Sequence, residues 1–135
     1  MQSKHILKLG QIAQIRKAFD LNEVVEYTKS SVDTNPIHCN EEYAKETIFG
    51  KRIVPGLQVA SLFGGLLGTE LPGRGTILLG QTLSFKKPVY INDEVLAIIE
   101  IIKIRFDKPI ITFKTTCFNS KNELAVDGQA VVKVI

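Results

Sequence analysis

The stretch Leu57-Gln58-Val59-Ala60-Ser61-Leu62-Phe63-Gly64-Gly65-Leu66-Leu67 decides how the rest of the chain is read. It is apolar on nearly every face, and a helix of that kind is normally buried all round. Pro55 ahead of it suits a helix's first turn, and Gly68 marks its end. Each glycine of the Gly64-Gly65 pair costs a helix interior about 1 kcal/mol relative to alanine. The pair is therefore read as a place where a sheet or a ligand comes close.

A buried helix needs elements to bury it. Upstream, Gln11 to Phe19 reads as a short strand. Asp20 then caps a helix, with Glu23 three residues on as in a capping box and Leu21, Val24 and Val25 as its apolar stripe. That helix ends near Ser30-Ser31, and Glu41 to Thr47 forms another. Downstream of Pro72-Gly73 the texture changes to strands. Ile77, Leu79, Leu83 and Phe85 alternate with Leu78, Thr82, Ser84 and Lys86, and Gln81 intrudes on the apolar side. Val95 to Arg105 is β-branched with apolar residues on both faces, as in a covered central strand. Asp107-Lys108-Pro109 turns into Ile110 to Phe118, and Asn119 to Asn122 turns into the alternating Leu124, Val126, Ala130, Val132 and Val134. Helices first, then about four antiparallel strands, predict an α+β fold in which a sheet curls around the central helix.

No repeat, linker or low-complexity tract interrupts this pattern, so residues 1–135 are read as one domain. An apolar fraction of 44% with 23% charged residues is globular. A net charge of +3 without a basic run, together with seven Phe, three Tyr and no Trp, argues against nucleic acid as a partner. The same mild excess would help an anionic small molecule dock. Met1 to Gly10 lacks the long apolar region of a leader, and no stretch reaches the ~18 apolar residues of a membrane span. Cys39 and Cys117 stand far apart with no metal-type spacing, so neither a disulfide framework nor a metal site is expected, and Cys117 reads as a small core hydrophobe. The expectation is a soluble protein of a reducing, cytoplasmic compartment.

One run carries chemistry. Asp33-Thr34-Asn35-Pro36-Ile37-His38 sets a carboxylate and an imidazole five residues apart on a backbone that cannot stay helical, because Asn35 precedes a proline. If the turn brings both heads over one volume, they can share a water and move a proton either way near neutral pH. The bland alternative makes Asp33 an Asx-turn residue and His38 a surface bystander. A second segment, Arg52-Ile53-Val54-Pro55-Gly56, leads directly into the apolar helix.

Taken together, Asp33-x-Asn35-Pro36-x-His38, Ile53-Val54-Pro55-Gly56, Ala60-Ser61-Leu62-Phe63 and Leu79-Gly80-Gln81-x-Leu83-Ser84-Phe85-Lys86-x-Pro88 resemble the MaoC-like hydratases, most of all the short PhaJ-type (R)-specific enoyl-CoA hydratases. The likeness runs from about Phe19 to Lys133. It implies a hot-dog fold, a homodimer with acyl-CoA thioester sites near the subunit interface, and reversible hydration of a trans-2-enoyl-CoA to an (R)-3-hydroxyacyl-CoA, without metal or redox cofactor. Asp33 and His38 fall on the family's catalytic dyad and Gly56 on its oxyanion-hole glycine. Asn35 and Ser61 are supporting candidates, and the residues that bind the rest of the substrate are not legible. Two positions depart from the pattern: Pro55 stands where a histidine is common, and Gly64 where a serine can stand.

The resemblance leaves room for two other uses of the same fold. One is 3-hydroxyacyl dehydration on acyl carrier protein in fatty-acid synthesis. The other is a non-catalytic acyl-thioester-binding partner of an active subunit, against which the presence of both Asp33 and His38 argues. Lys86, Lys87, Lys103, Arg105 and Lys108 could meet phosphates or stay solvated at strand ends.

Overall fold

The computed structural model describes residues 6–135; residues 1–5, the start of the Met1–Gly10 stretch read above as lacking a leader, lie outside them. Along the chain come β1 (Ile12–Ala18), α1 (Leu21–Ser31), α2 (Glu41–Lys45), α3 (Gly56–Thr69), β2 (Ile77–Gln81), β3 (Ser84–Phe85), β4 (Glu94–Ile104), β5 (Ile110–Phe118) and β6 (Leu124–Lys133). The strands form one antiparallel sheet in the order β1-β4-β5-β6-β2, with β3 also paired to β6.

Strand register gathers the alternating apolar residues onto one face. Ala97 pairs with Cys117, Ile99 with Thr115 and Ile101 with Phe113, and Phe113 and Ile111 pair in turn with Ala130 and Val132. All of these are buried, and the buried side of α3, with Val59, Ala60, Phe63, Leu66 and Leu67, joins them in one core. This is the helix-on-sheet α+β arrangement of a hot-dog fold, as expected. Gln81 does face inward: its amide donates to the buried Thr115 hydroxyl at 3.1 Å and to the Thr82 carbonyl at 2.8 Å. Gly128 lies opposite Thr115 because a Cβ there would come 1.8 Å from the Thr82 carbonyl oxygen.

Four expectations need correcting. The helix is not buried all round, because the sheet covers only one side of it; Leu57, Ser61, Gly64 and Gly65 are exposed on the other. Among the described residues the sheet does not come close at Gly64 or Gly65, since a Cβ at either position would meet none of their atoms within 4 Å. The strand read through Ile77 to Lys86 is two pieces. A register shift falls at Leu79, and Thr82 is drawn to Gln129 by its own N–H (2.8 Å) and by the N–H that its hydroxyl accepts (2.9 Å). Boundaries elsewhere fall within two residues of those read. Pro55 is the residue before α3 rather than part of its first turn.

Candidate active site

The Asp33 turn begins with a helix end. The Asp20–Glu23 capping box forms as expected and starts α1, whose C-cap, Val32, adopts the left-handed conformation (φ 58°, ψ 36°). A β-branched residue pays in strain for that conformation. The reversal lets the Asp33 N–H donate back to the Thr28 carbonyl at 2.9 Å. Two successive Asx turns follow. Asp33 Oδ1 accepts the Asn35 N–H at 2.9 Å, and Asn35 Oδ1 accepts the Ile37 N–H at 3.2 Å. Asn35 thus shapes the turn with its side chain and holds the carboxylate with its backbone.

Both readings of the run hold at once. While Oδ1 closes the turn, Oδ2 of Asp33 lies 3.5 Å from Nε2 of His38. His38 is no bystander, being 7% exposed. Its Nδ1 lies 2.8 Å from the Ile53 carbonyl oxygen, which can only accept, so Nδ1 carries the hydrogen and Nε2 is the nitrogen turned toward Asp33. Neutral in that tautomer, Nε2 and Oδ2 are two acceptors side by side, an arrangement that suits a water donating one hydrogen to each.

The segment that supplies Ile53 also starts the central helix. On one side the Ile53 N–H donates to Ile37 (3.3 Å); on the other the Val54 N–H donates to Val89 (2.7 Å), and Ile53 bridges Tyr90. Arg52 reinforces the first side, reaching the Cys39 carbonyl at 3.5 Å and Glu41 at 3.4 Å. Gly56 therefore follows three residues after the carbonyl that orients His38. As a first-turn residue it has no helical acceptor for its N–H, and it has none elsewhere among the described residues. The helix dipole adds positive potential at that point. The space above its Cα is taken by Phe85: a Cβ on residue 56 would lie 2.8 Å from Cε1 of that ring.

Ser61 is not drawn into this group. Its hydroxyl donates to the Gln58 carbonyl of its own helix at 2.5 Å. Cys39 is exposed; Cys117 is buried, and burial pushes its thiol up to about 12, consistent with a core hydrophobe. Among the described residues no helix is long and apolar enough to cross a membrane. Sequence reasoning missed the Ile53 carbonyl, because a backbone acceptor leaves no mark in residue type. It also missed the contact of Phe85 with Gly56, which joins distant parts of the chain.

Comparison with known proteins sets this geometry in a family. The family profile described as "MaoC like domain" matches residues 10–123. The (R)-specific enoyl-CoA hydratase of Aeromonas caviae is 48% identical over 132 residues, covering 98% of each chain. A solved structure described as an (R)-hydratase from A. caviae involved in PHA biosynthesis superposes with a TM-score of 0.95 at 48% identity, over 96% of this chain and 98% of that one. A mitochondrial 3-hydroxyacyl-[acyl-carrier-protein] dehydratase of Arabidopsis thaliana is 37% identical, over 95% of this chain and 78% of its own length. With the family profile spanning most of the sheet and both loops of the site, the chain belongs to the MaoC-like domain family.

Proposed function

We propose that this protein is an (R)-specific enoyl-CoA hydratase, a hydro-lyase adding water reversibly across the double bond of a trans-2-enoyl-CoA, and that residues 1–135 act as one catalytic domain. The observation that carries this reading is the fixed tautomer of His38. Its Nδ1–H is held by Ile53, its Nε2 faces Asp33 at 3.5 Å, and an uncommitted N–H at Gly56 lies three residues from the same carbonyl.

The chemistry follows from those parts. Asp33 and Nε2 of His38 accept the two hydrogens of a water, leaving its lone pairs for the β-carbon. As the C–O bond forms, the π electrons move onto the carbonyl oxygen, where the Gly56 N–H stabilises the enolate. Such a donor is worth about 3 kcal/mol in the transition state. One water proton passes to the pair, and a proton returns from the pair to the α-carbon. Both additions come from one face, which makes the addition syn.

Purified protein incubated with crotonyl-CoA is expected to bleach the conjugated-thioester absorbance and give (R)-3-hydroxybutyryl-CoA. Unchanged absorbance would leave only a binding role. The second reading, dehydration on acyl carrier protein, is favoured by the 37% identity to the plant enzyme. Activity confined to carrier-protein thioesters would select it.

The active species in this proposal is a homodimer in the cytoplasm. Support comes from β2, an edge strand whose Ile77, Leu78 and Leu79 are about half exposed. Unpaired apolar edges of this kind are sites of strand-to-strand association. Sedimentation giving a monomer mass at micromolar concentration would rule the dimer out.

A further inference from the structure

His38 meets Asp33 only if the segment around the imidazole stays in place, and that segment has little means of holding itself. The helix just after it, α2, is five residues long, too short to be stable alone. What fastens it is the dipeptide Arg52-Ile53. The Ile53 N–H donates to the carbonyl of Ile37, the residue before the imidazole, at 3.3 Å. The Ile53 carbonyl accepts from the ring itself at 2.8 Å. On the far side of His38, Nη1 of Arg52 lies 3.5 Å from the Cys39 carbonyl oxygen, and Nη2 lies 3.4 Å from Oε1 of Glu41 in the first turn of α2. The residues flanking the imidazole are thus tied on both sides to one dipeptide. A guanidinium suits this position, because its rigid fork offers donors to two acceptors at once and never loses its charge.

We propose that Arg52 is a positioning residue: by spanning Cys39 and Glu41 it keeps His38 in the orientation that turns Nε2 toward Asp33. The kinetic consequence rests on the hydratase reading; the effect on the imidazole does not. Asp33 is set by its own turn, through the Asn35 N–H, whereas His38 is set from fifteen residues away. The 3.5 Å gap between Oδ2 and Nε2 is where these separately held parts meet, so slack at Arg52 is felt there. It is felt in the tautomer too. Nδ1 carries the hydrogen because Ile53 accepts it, and once that bond loosens the hydrogen is shared between the two nitrogens. Both contacts of Arg52 are long, and its side chain and that of Glu41 are 25% and 57% exposed, so they add little stability. Loss of Arg52 should therefore show in the chemistry and hardly in the fold.

The test compares Arg52→Met and Arg52→Lys with the wild type, and Arg52→Met also in a His38→Gln background. A reacting group misplaced by an ångström can cost on the order of a hundredfold in rate, and a loosened one costs less. Arg52→Met should lower kcat for crotonyl-CoA hydration about tenfold with KM held within about twofold. Its Tm should shift by no more than about 3 °C. Arg52→Lys, a point charge that meets one acceptor at a time, should recover part of the rate. In the His38→Gln background Arg52→Met should cost no further rate, since nothing is left to position. Nitrogen-15 NMR of histidine-labelled protein at about pH 8.5, where an imidazole is ordinarily neutral, reads the ring directly. His38, identified by the signals lost in His38→Gln, should show one protonated and one bare nitrogen in the wild type, and two signals drawn together in Arg52→Met. Ring signals that stay as far apart in Arg52→Met, or an equal loss of kcat with and without His38, would overturn the assignment. Wild-type protein inactive toward crotonyl-CoA would overturn the hydratase reading instead, and the NMR comparison would still decide the role of Arg52.

Discussion

The ring of Phe85 occupies the place where residue 56 would carry a side chain: the three atoms nearest a Cβ at Gly56 all belong to that ring, the first at 2.8 Å. Glycine is thus favoured at the start of α3 by a neighbour far along the chain. The ring is half exposed and can swing, so Gly56→Ala should cost only about 1 kcal/mol of stability. Because the clash is with one side chain, that cost should vanish in a Phe85→Ala background. Urea denaturation of the two single variants and the double variant measures the coupling. Additive losses would mean that the helix start, not the ring, sets the requirement.

Asp33→Asn and His38→Gln are each expected to lower kcat for crotonyl-CoA hydration at least about a hundredfold, the usual weight of a positioned acid or base. Neither change should unfold the protein, since the amide oxygen introduced at position 33 can still accept the Asn35 N–H and residue 38 sits at the edge of the core. Circular dichroism and stopped-flow absorbance together decide. A fully active His38→Gln would remove the imidazole from the mechanism.

Val32 is 82% exposed yet held at φ 58°, so its side chain contributes little packing while its backbone is strained. Val32→Gly should therefore stabilise the protein by about 1 kcal/mol, relief of the left-handed strain outweighing the extra chain entropy. The Tm measures this. A lower Tm would show that the valine packs against something that matters more than its conformation.

How far the sequence disclosed this molecule depends on the range of the interaction. The capping box at Asp20 and Glu23, the alternation of β5 and β6 and the buried Cys117 are local or periodic signals, and all appear in the structure. The turn that brings His38 within 3.5 Å of Asp33 is likewise local, being built by Asn35 and Pro36. What composition could not reveal is which face of α3 lacks a cover, because Gly64 and Gly65 look the same in sequence whether or not anything approaches them. The break after Gln81 was hidden for a related reason. Thr82 leaves the strand to bond Gln129, 47 positions away, and no pattern within the strand records it.

Glu23 links stability to pH at the helix that ends in the Asp33 turn. The Lys17 ammonium bonded to its carboxylate, with the Asp20 N–H as a second donor, holds it below the usual carboxylate range, and burial opposes this only weakly. A carboxylate depressed in the folded state contributes stability that is present above its ordinary value of 4.5 and is lost as pH falls through the lowered one. Both side chains are more than a third exposed, so solvent screening reduces the contribution to about 0.5 kcal/mol at pH 7. Glu23→Gln keeps an acceptor for the Asp20 N–H and removes only the charge. It should therefore lose about that amount at pH 7 and less near pH 3.5, below the ordinary carboxylate value, where the contribution of the wild-type charge is falling. Urea unfolding at the two pH values checks the sign: a deficit that persists undiminished in acid would place the contribution in packing rather than in the ion pair.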